Sequence, residues 1–203
     1  MPPPVYLVAA ILSWPVFKLL YRLRATGLEH LPEGGFVLSA NHLSNIDPWA
    51  LALPLFPRRT LRFMAKSELF NPVLGPLLRG GGAFRVRRGE RDVEAIRTAV
   101  ELVQAGEIVV MFPEGTRRAK GLMKTRQPRA HSGAARIALT AGVPLVPAAI
   151  RGTDRLSRLG PIRVAYGRPI ETGHLRDKDV KEAAQIATDR LMTAIGDLEA
   201  SLS

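Results

Sequence analysis

Short apolar runs separated by segments of helical period constrain this chain most. The runs at 35–40 (GFVLSA), 61–65 (LRFMA), 83–87 (AFRVR), 107–112 (EIVVMF), 144–150 (PLVPAAI) and 162–166 (IRVAY) have strand length and strand composition. Between them, 48–56, 67–79, 90–105, 132–141 and 178–200 read as helices. Alternation of the two periods predicts an α/β fold, with a mixed, largely buried β-sheet flanked by helices. In the last segment Val180, Ala184, Ala187, Leu191, Ile195 and Leu198 recur every three or four residues, which gives a scaffold helix one apolar stripe. A length of 203 residues suits a single core that needs no staples.

Residues 5–21 (VYLVAAILSWPVFKLLY) precede this pattern and are the most apolar stretch. The run from Val5 to Phe17 contains Ser13 and Pro15 and falls short of the about twenty residues that span a bilayer. Lys18, Arg22 and Arg24 follow it rather than precede it, the reverse of a secretory signal. With Tyr6, Trp14 and Tyr21 beside the basic flank, the segment is expected to be an N-terminal amphipathic membrane-interface helix. The competing reading is a helix packed on the protein's own core. The expected division is 1–24 for this helical segment and 25–203 for the domain proper.

A net charge of +11 and a pI near 11.0 call for an anionic partner, whether nucleic acid, an anionic membrane surface or a phosphorylated substrate. Residues 117–136 hold seven Lys or Arg and no acid, and 58–91 hold nine against two. No helix-turn-helix, zinc-finger or RNA-binding signature accompanies them, and none of the twelve aromatic residues interleaves with the basic run. No nucleic-acid partner is therefore expected. The chain has no Cys, and its four His residues, at 30, 42, 131 and 174, lack ligand spacing, so no metal is expected. Residues 115–133 read as a basic connection between a strand and a helix.

His42 and Asp47 stand five apart in Asn41-His42-Leu43-Ser44-Asn45-Ile46-Asp47-Pro48. Asp47-Pro48 before an apolar helix reads plainly as an N-cap followed by Pro at the first helical position. The same residues can build a base. On a continuous helix the two side chains would point about 140° apart, so a dyad requires a turn between them. Asp47 would then accept from one ring nitrogen and fix the tautomer, leaving the other to remove a proton from a hydroxyl. Ser44 is close, but no nucleophile elbow surrounds it, so the attacking hydroxyl can belong to the substrate.

A second block, Phe112-Pro113-Glu114-Gly115-Thr116-Arg117, leaves an apolar strand through a turn. Pro113 withholds a ladder donor, and Gly115 permits positive φ or a close approach. Glu114 and Arg117 would project where α/β sheets place ligands, one to accept from a hydroxyl and the other to grip a phosphate. A surface ion pair is the plainer alternative. In Gly80-Gly81-Gly82-Ala83-Phe84-Arg85-Val86-Arg87-Arg88, Arg85 and Arg87 share one strand face, and Val86 and Arg88 the other. Arg88 is the one expected to turn towards a site, against the alternative of a solvated basic edge.

In this order and spacing the blocks resemble the 1-acylglycerol-3-phosphate acyltransferase family over residues 25–170, so that 25–203 would be a glycerophospholipid acyltransferase domain. Lys66-Ser67-Glu68-Leu69-Phe70 with Gly75, and Gly142-Val143-Pro144-Leu145-Val146-Pro147, resemble further family motifs. The resemblance implies His42 as base and Asp47 as its partner. It implies Arg88 and Arg117 at the acceptor phosphate, Glu114, Gly115 and Thr116 at the glycerol, and Pro147 shaping a substrate pocket. It also implies transfer of a fatty acyl group from acyl-CoA or acyl-carrier protein to lysophosphatidate, without a cofactor. The expected station is peripheral or monotopic on the cytoplasmic membrane, with the active site facing the cytoplasm. Other readings are a different acceptor (glycerol 3-phosphate or a glycolipid hydroxyl) or a non-catalytic anionic-lipid binder. Arg118 and His131-Ser132-Gly133-Ala134 depart from the usual family pattern.

Overall fold

The computed structural model describes residues 2–86, 93–115, 130–175 and 178–202. Seven strands form one sheet: β1 (Arg24–Thr26), β2 (Phe36–Ala40), β3 (Leu61–Lys66), β4 (Ala83–Val86), β5 (Ile108–Met111), β6 (Leu145–Arg151) and β7 (Arg163–Tyr166). Their order is β1-β7-β6-β2-β5-β3-β4. The five strands from β6 to β4 run parallel, while β7 is antiparallel to β6 and β1 follows β7. The sheet is therefore mixed. β2 and nearly all of β5 and β6 are buried, which is why these strands read as unbroken apolar runs rather than as alternation.

One face carries α1 (Pro4–Pro15), α2 (Asp47–Ala52) and α3 (Leu74–Gly80); the other carries α4 (Val93–Gln104), α5 (Gly133–Ala141) and α6 (Val180–Ser201). Ala95, Ala99 and Val103 face inward from α4 at steps of four. On α6 the buried stripe is Ala183, Ala184, Ala187, Thr188, Leu191 and Ile195. Val180, expected in that stripe, is exposed because it sits in the first turn, next to the Asp179 cap that accepts from the Lys181 and Glu182 amides.

The expected helix over 67–79 is broken. Pro72 interrupts it, and Asn71 Oδ1 accepts from the Val73 and Leu74 amides at 3.0 and 2.8 Å, so that α3 starts afresh. The helix expected over 48–56 is α2 followed by a 3₁₀ turn, Leu53–Leu55. β1 went unread in the sequence, since only Ala25 of its three residues packs inward.

The N-terminal segment packs on the protein's own core along one side and leaves apolar side chains exposed on the other. Tyr6, Ala10 and Phe17 are buried in the core cluster under the first face, and Trp49 Nε1 donates to Ser13 Oγ at 2.9 Å. On the opposite side Val8, Ile11, Leu12, Leu19 and Leu20 are exposed. After Pro15 the helix continues as a π turn, Val16–Leu20, and the Ile162 amide fastens its end by donating to Tyr21 O at 2.9 Å. Among the described residues no helix is long and apolar enough to cross a membrane.

Candidate active site

The chain places its reactive groups where β2, β5 and β6 end side by side. After Ala40, Asn41 continues the ladder with its side chain. Its Nδ2 donates to Ile150 O at 2.9 Å and its Oδ1 accepts from the Ile150 amide at 2.8 Å. The same Nδ2 also donates to Glu199 Oε1 at 2.9 Å. The exit of β2 is thus pinned to β6 and α6, and the next residue, His42, has a fixed origin.

The turn that the dyad requires is present. His42 leaves the strand, the chain reverses through Leu43–Ile46, and Asp47 opens α2. His42 Nδ1 lies 2.8 Å from Asp47 Oδ2. The same oxygen accepts from the Leu43 and Ser44 amides at 2.6 and 2.7 Å, and Oδ1 accepts from Thr153 Oγ1 at 2.5 Å. Asp47 is fully buried, while the His42 side chain keeps 12% of its surface. The N-cap reading of Asp47 fails: Ile46 occupies the cap, no side chain caps the helix, and the carboxylate turns back to the preceding loop.

A carboxylate only accepts, so Nδ1 carries the imidazole proton and Nε2 presents a lone pair. Phe112 stacks on the imidazole with centroids 4.1 Å apart and planes within 18°. The stack fixes ring orientation and keeps water from one face. Neither Phe112 nor Thr153 was assigned a role from sequence. Phe112 stood inside a quoted motif, but Thr153 carries no local signal, since it reaches Asp47 across a separation of 106 residues.

Ser39 pairs with Met111 across β2 and β5, so His42 and Glu114 lie three residues beyond one registered pair. Glu114 is 2% exposed, on the turn after Phe112. Gly115 has φ +68°, and its amide donates to Phe112 O at 3.0 Å. A Cβ there would stand 2.9 Å from His131 Nε2, so the glycine supplies both the positive φ and the close approach expected of it. The His131 amide donates to Pro113 O at 2.8 Å, which ties the end of the long connection to this turn.

Pro147 is not brought to this group. It pairs with Ser39, on the face opposite Leu38 and Ala40, and its ring packs against Gly167 beside Leu198. The alternation of β6 places it beneath α6, a layer away from the imidazole. Arg85 lies over the Phe70 ring at 5.1 Å. Arg88, Thr116 and Arg117 lie outside the described residues, as does Arg118. Among the described residues no three His, Asp or Glu side chains gather as a metal cluster.

A buried, oriented His–Asp dyad at strand ends, with a buried carboxylate one strand away, is equipped to deprotonate a hydroxyl held over the sheet. Comparison with known proteins agrees. A family model described as Acyltransferase matches residues 22–151. The 1-acyl-sn-glycerol-3-phosphate acyltransferase of Bacillus subtilis is 33% identical over 179 residues, covering 86% of each chain. A chloroplastic 1-acyl-sn-glycerol-3-phosphate acyltransferase of Brassica napus is 31% identical, covering 74% of this chain and 45% of its own longer sequence. In fold, the chain is similar to the crystal structure of the 1-acyl-sn-glycerophosphate (LPA) acyltransferase PlsC from Thermotoga maritima, with a TM-score of 0.62 and 23% identity, covering 95% of this chain and 86% of that one. Motif order, dyad and relatives agree: this chain is an acyltransferase of the 1-acylglycerol-3-phosphate acyltransferase family.

Proposed function

We propose that the protein transfers a fatty acyl group from an acyl-CoA or acyl-carrier-protein thioester to the free hydroxyl of 1-acylglycerol 3-phosphate, giving phosphatidate. The observation that carries this reading is the His42 Nδ1–Asp47 Oδ2 contact of 2.8 Å, which leaves Nε2 as a base. Nε2 takes the hydroxyl proton while the oxygen attacks the thioester carbonyl. The tetrahedral intermediate then expels the thiolate, breaking C–S, and the imidazolium returns the proton to sulfur. Asp47 stabilises the transient imidazolium without taking its proton.

No protein acyl ester is needed. Cys is absent, and the Ser44 contact recorded at the dyad is through its backbone amide rather than its hydroxyl. Glu114 is assigned to the acceptor's glycerol, with Gly115 and Thr116 shaping that subsite, and Arg88 and Arg117 to its phosphate. Guanidinium forks meet two phosphate oxygens at once. The exposed apolar side of α1 favours a membrane-borne acceptor over glycerol 3-phosphate, and supports a peripheral station on the cytoplasmic membrane.

The test offers purified protein labelled acyl-CoA or acyl-carrier protein with lysophosphatidate, glycerol 3-phosphate, or a lysophospholipid lacking a terminal phosphate monoester. Turnover is expected with lysophosphatidate, and His42→Ala is expected to lower it by about 10²–10⁴-fold or more. Preference for another acceptor, or near-normal turnover in a folded His42→Ala variant, rejects the assignment.

A further inference from the structure

Arg24, Arg163 and Arg151 occupy registered positions on three adjacent strands, Arg24 opposite Arg163 and Arg163 opposite Arg151. Registered residues project from the same face of a sheet, and neighbouring strands lie about 4.8 Å apart. Three guanidinium-bearing side chains therefore stand in one row about 10 Å long. Like charges directly opposite each other destabilise a sheet unless something neutralises them.

The loop between β6 and β7 adds Arg155 and Arg158. With Arg151, Arg163, Asp154 and Leu202 they line a cavity of about 390 Å³. A second cavity of about 290 Å³, lined by Arg22, Arg24, Pro161 and Arg163, adjoins the first through its shared Pro161 and Arg163. Internal compensation is slight. Arg155 Nε donates to Asp154 at 3.3 Å, and Arg151 Nη1 donates to the Leu202 carbonyl at the end of α6, at 3.1 Å. Among the described residues no carboxylate pairs with Arg22, Arg24, Arg158 or Arg163.

Two further observations say what an anion there would be part of. Arg22 Nη2 donates to Leu159 O at 3.3 Å, joining the arginine loop to the end of the N-terminal helical segment. Leu159 is exposed, as are Leu19 and Leu20 on the π turn just before Arg22. Cationic cleft and exposed leucines are thus joined through Arg22 and Leu159 at the end of the sheet that carries His42. A phosphate flanked by hydrocarbon matches both halves of it, and a free phosphate matches only one.

We propose that this arginine cleft, built from other residues than those assigned to the acceptor's phosphate, is a binding site for the phosphate headgroup of an anionic phospholipid. It seats the protein on the bilayer while Leu19, Leu20 and Leu159 enter the leaflet. The loop that forms the cleft begins beside Thr153, whose hydroxyl holds Asp47, so a bound headgroup steadies the segment that supports the dyad. The inference rests on no step of the reaction proposed above, and its test needs no acyl donor.

The experiment is sedimentation of the full chain with vesicles of phosphatidylcholine alone or mixed with phosphatidate or phosphatidylglycerol. The variants are Arg158→Gln/Arg163→Gln, the charge-keeping Arg158→Lys/Arg163→Lys, and the control Arg97→Gln/Lys181→Gln, with folding followed by thermal melting. Each arginine removed is expected to weaken binding to anionic vesicles about 5-fold, about 25-fold for the pair, with smaller salt dependence. The lysine pair retains most of the binding, the control pair retains nearly all, and neutral vesicles show little difference. Unchanged anionic binding in the glutamine pair, or equal loss in the control pair, overturns the proposal. So does a site for free phosphate alone: inorganic phosphate raising the Tm of the wild type but not of the glutamine pair, with vesicle binding intact.

Discussion

Asp47 receives four hydrogen bonds, and three of their donors lie within five residues of it. These three are set by the local turn, which the dyad reading required, and so the dyad was legible in the sequence as one of two readings, beside the N-cap. The fourth donor, Thr153, needed the tertiary fold. Its hydroxyl is buried and reaches Oδ1, the oxygen that His42 does not use. Thr153 is a positioning residue: it fixes the carboxylate plane, and through it the imidazole. Thr153→Val keeps shape and removes the donor. A hydrogen bond to a charged group contributes about 1.5–3 kcal/mol, so kcat should fall by about 10- to 100-fold if that ordering is needed at the transition state. KM for both substrates should hardly move, and Thr153→Ser should recover most of the rate. Steady-state kinetics on the three proteins decide it. Loss confined to KM, or no rescue by Ser, would assign Thr153 to binding or to folding alone.

At the scale of elements, six strands were readable from short runs of strand composition, unbroken and apolar in the buried β2, β5 and β6 and mixed with basic residues in β3 and the edge strand β4. Their order was not, because it depends on β5 and β6 both choosing β2 as neighbour. The arginine row was hidden for the same reason: Arg24 and Arg163 meet only through a register between β1 and β7. The turn after β5 shows the opposite case, since Gly115 announced a positive φ that the structure contains. Gly115→Ala should cost about 1–2 kcal/mol of stability from the left-handed backbone alone. The new Cβ also meets the His131 ring, so Glu114 should shift and activity fall beyond what stability explains. Denaturant melts and kcat/KM on one preparation separate the two losses, and a fully active Gly115→Ala enzyme would remove Glu114 from the site.

The N-terminal helical segment tests differently from what its sequence suggested. Deleting it would also remove Tyr6, Ala10 and Phe17 from the core. Its membrane role is better probed from the exposed side. Leu12 and Leu19 are 71% and 78% exposed. Leu12→Ser/Leu19→Ser should leave the thermal midpoint within a few degrees and weaken vesicle binding by at least about 10-fold, since each fully buried leucine contributes about 1.5–3 kcal/mol. Vesicle sedimentation beside a melt measures both, and a large drop in the midpoint with unchanged vesicle binding would return this helix to a purely internal role.

For the whole molecule, two phenols tie the first helical face to the sheet. Tyr6 on α1 accepts from the Leu61 amide of β3 at 3.4 Å, and Tyr166 on β7 donates to Leu51 O of α2 at 2.7 Å. Both are buried in one core cluster. Burial pushes the Tyr6 hydroxyl up from 10.0 to about 12, partly offset by the Leu61 hydrogen bond and the Arg62 charge. Burial also raises that of Tyr166, with the neighbouring Tyr6 adding to the effect. A group whose folded pKa is raised contributes its full stability below the unfolded value and loses it as pH rises through the folded one. Stability should therefore hold up to about pH 10 and fall steadily from there towards pH 12 and beyond as the unfolded chain releases protons that the folded chain keeps. For Tyr6 alone the loss is a few kcal/mol. Tyr6→Phe keeps the ring that lies tilted against Trp49, with centroids 5.1 Å apart, and removes the titrating group. Its stability at neutral pH should drop by no more than about 1 kcal/mol, since the bond it loses is long and weak. Its alkaline decline should be shallower than the wild type's, and denaturant midpoints measured between pH 8 and pH 12 should make the two curves converge or cross. Parallel curves would mean that α1 is not held by a buried neutral phenol, and that the first face of the sheet is joined to its helices in some other way.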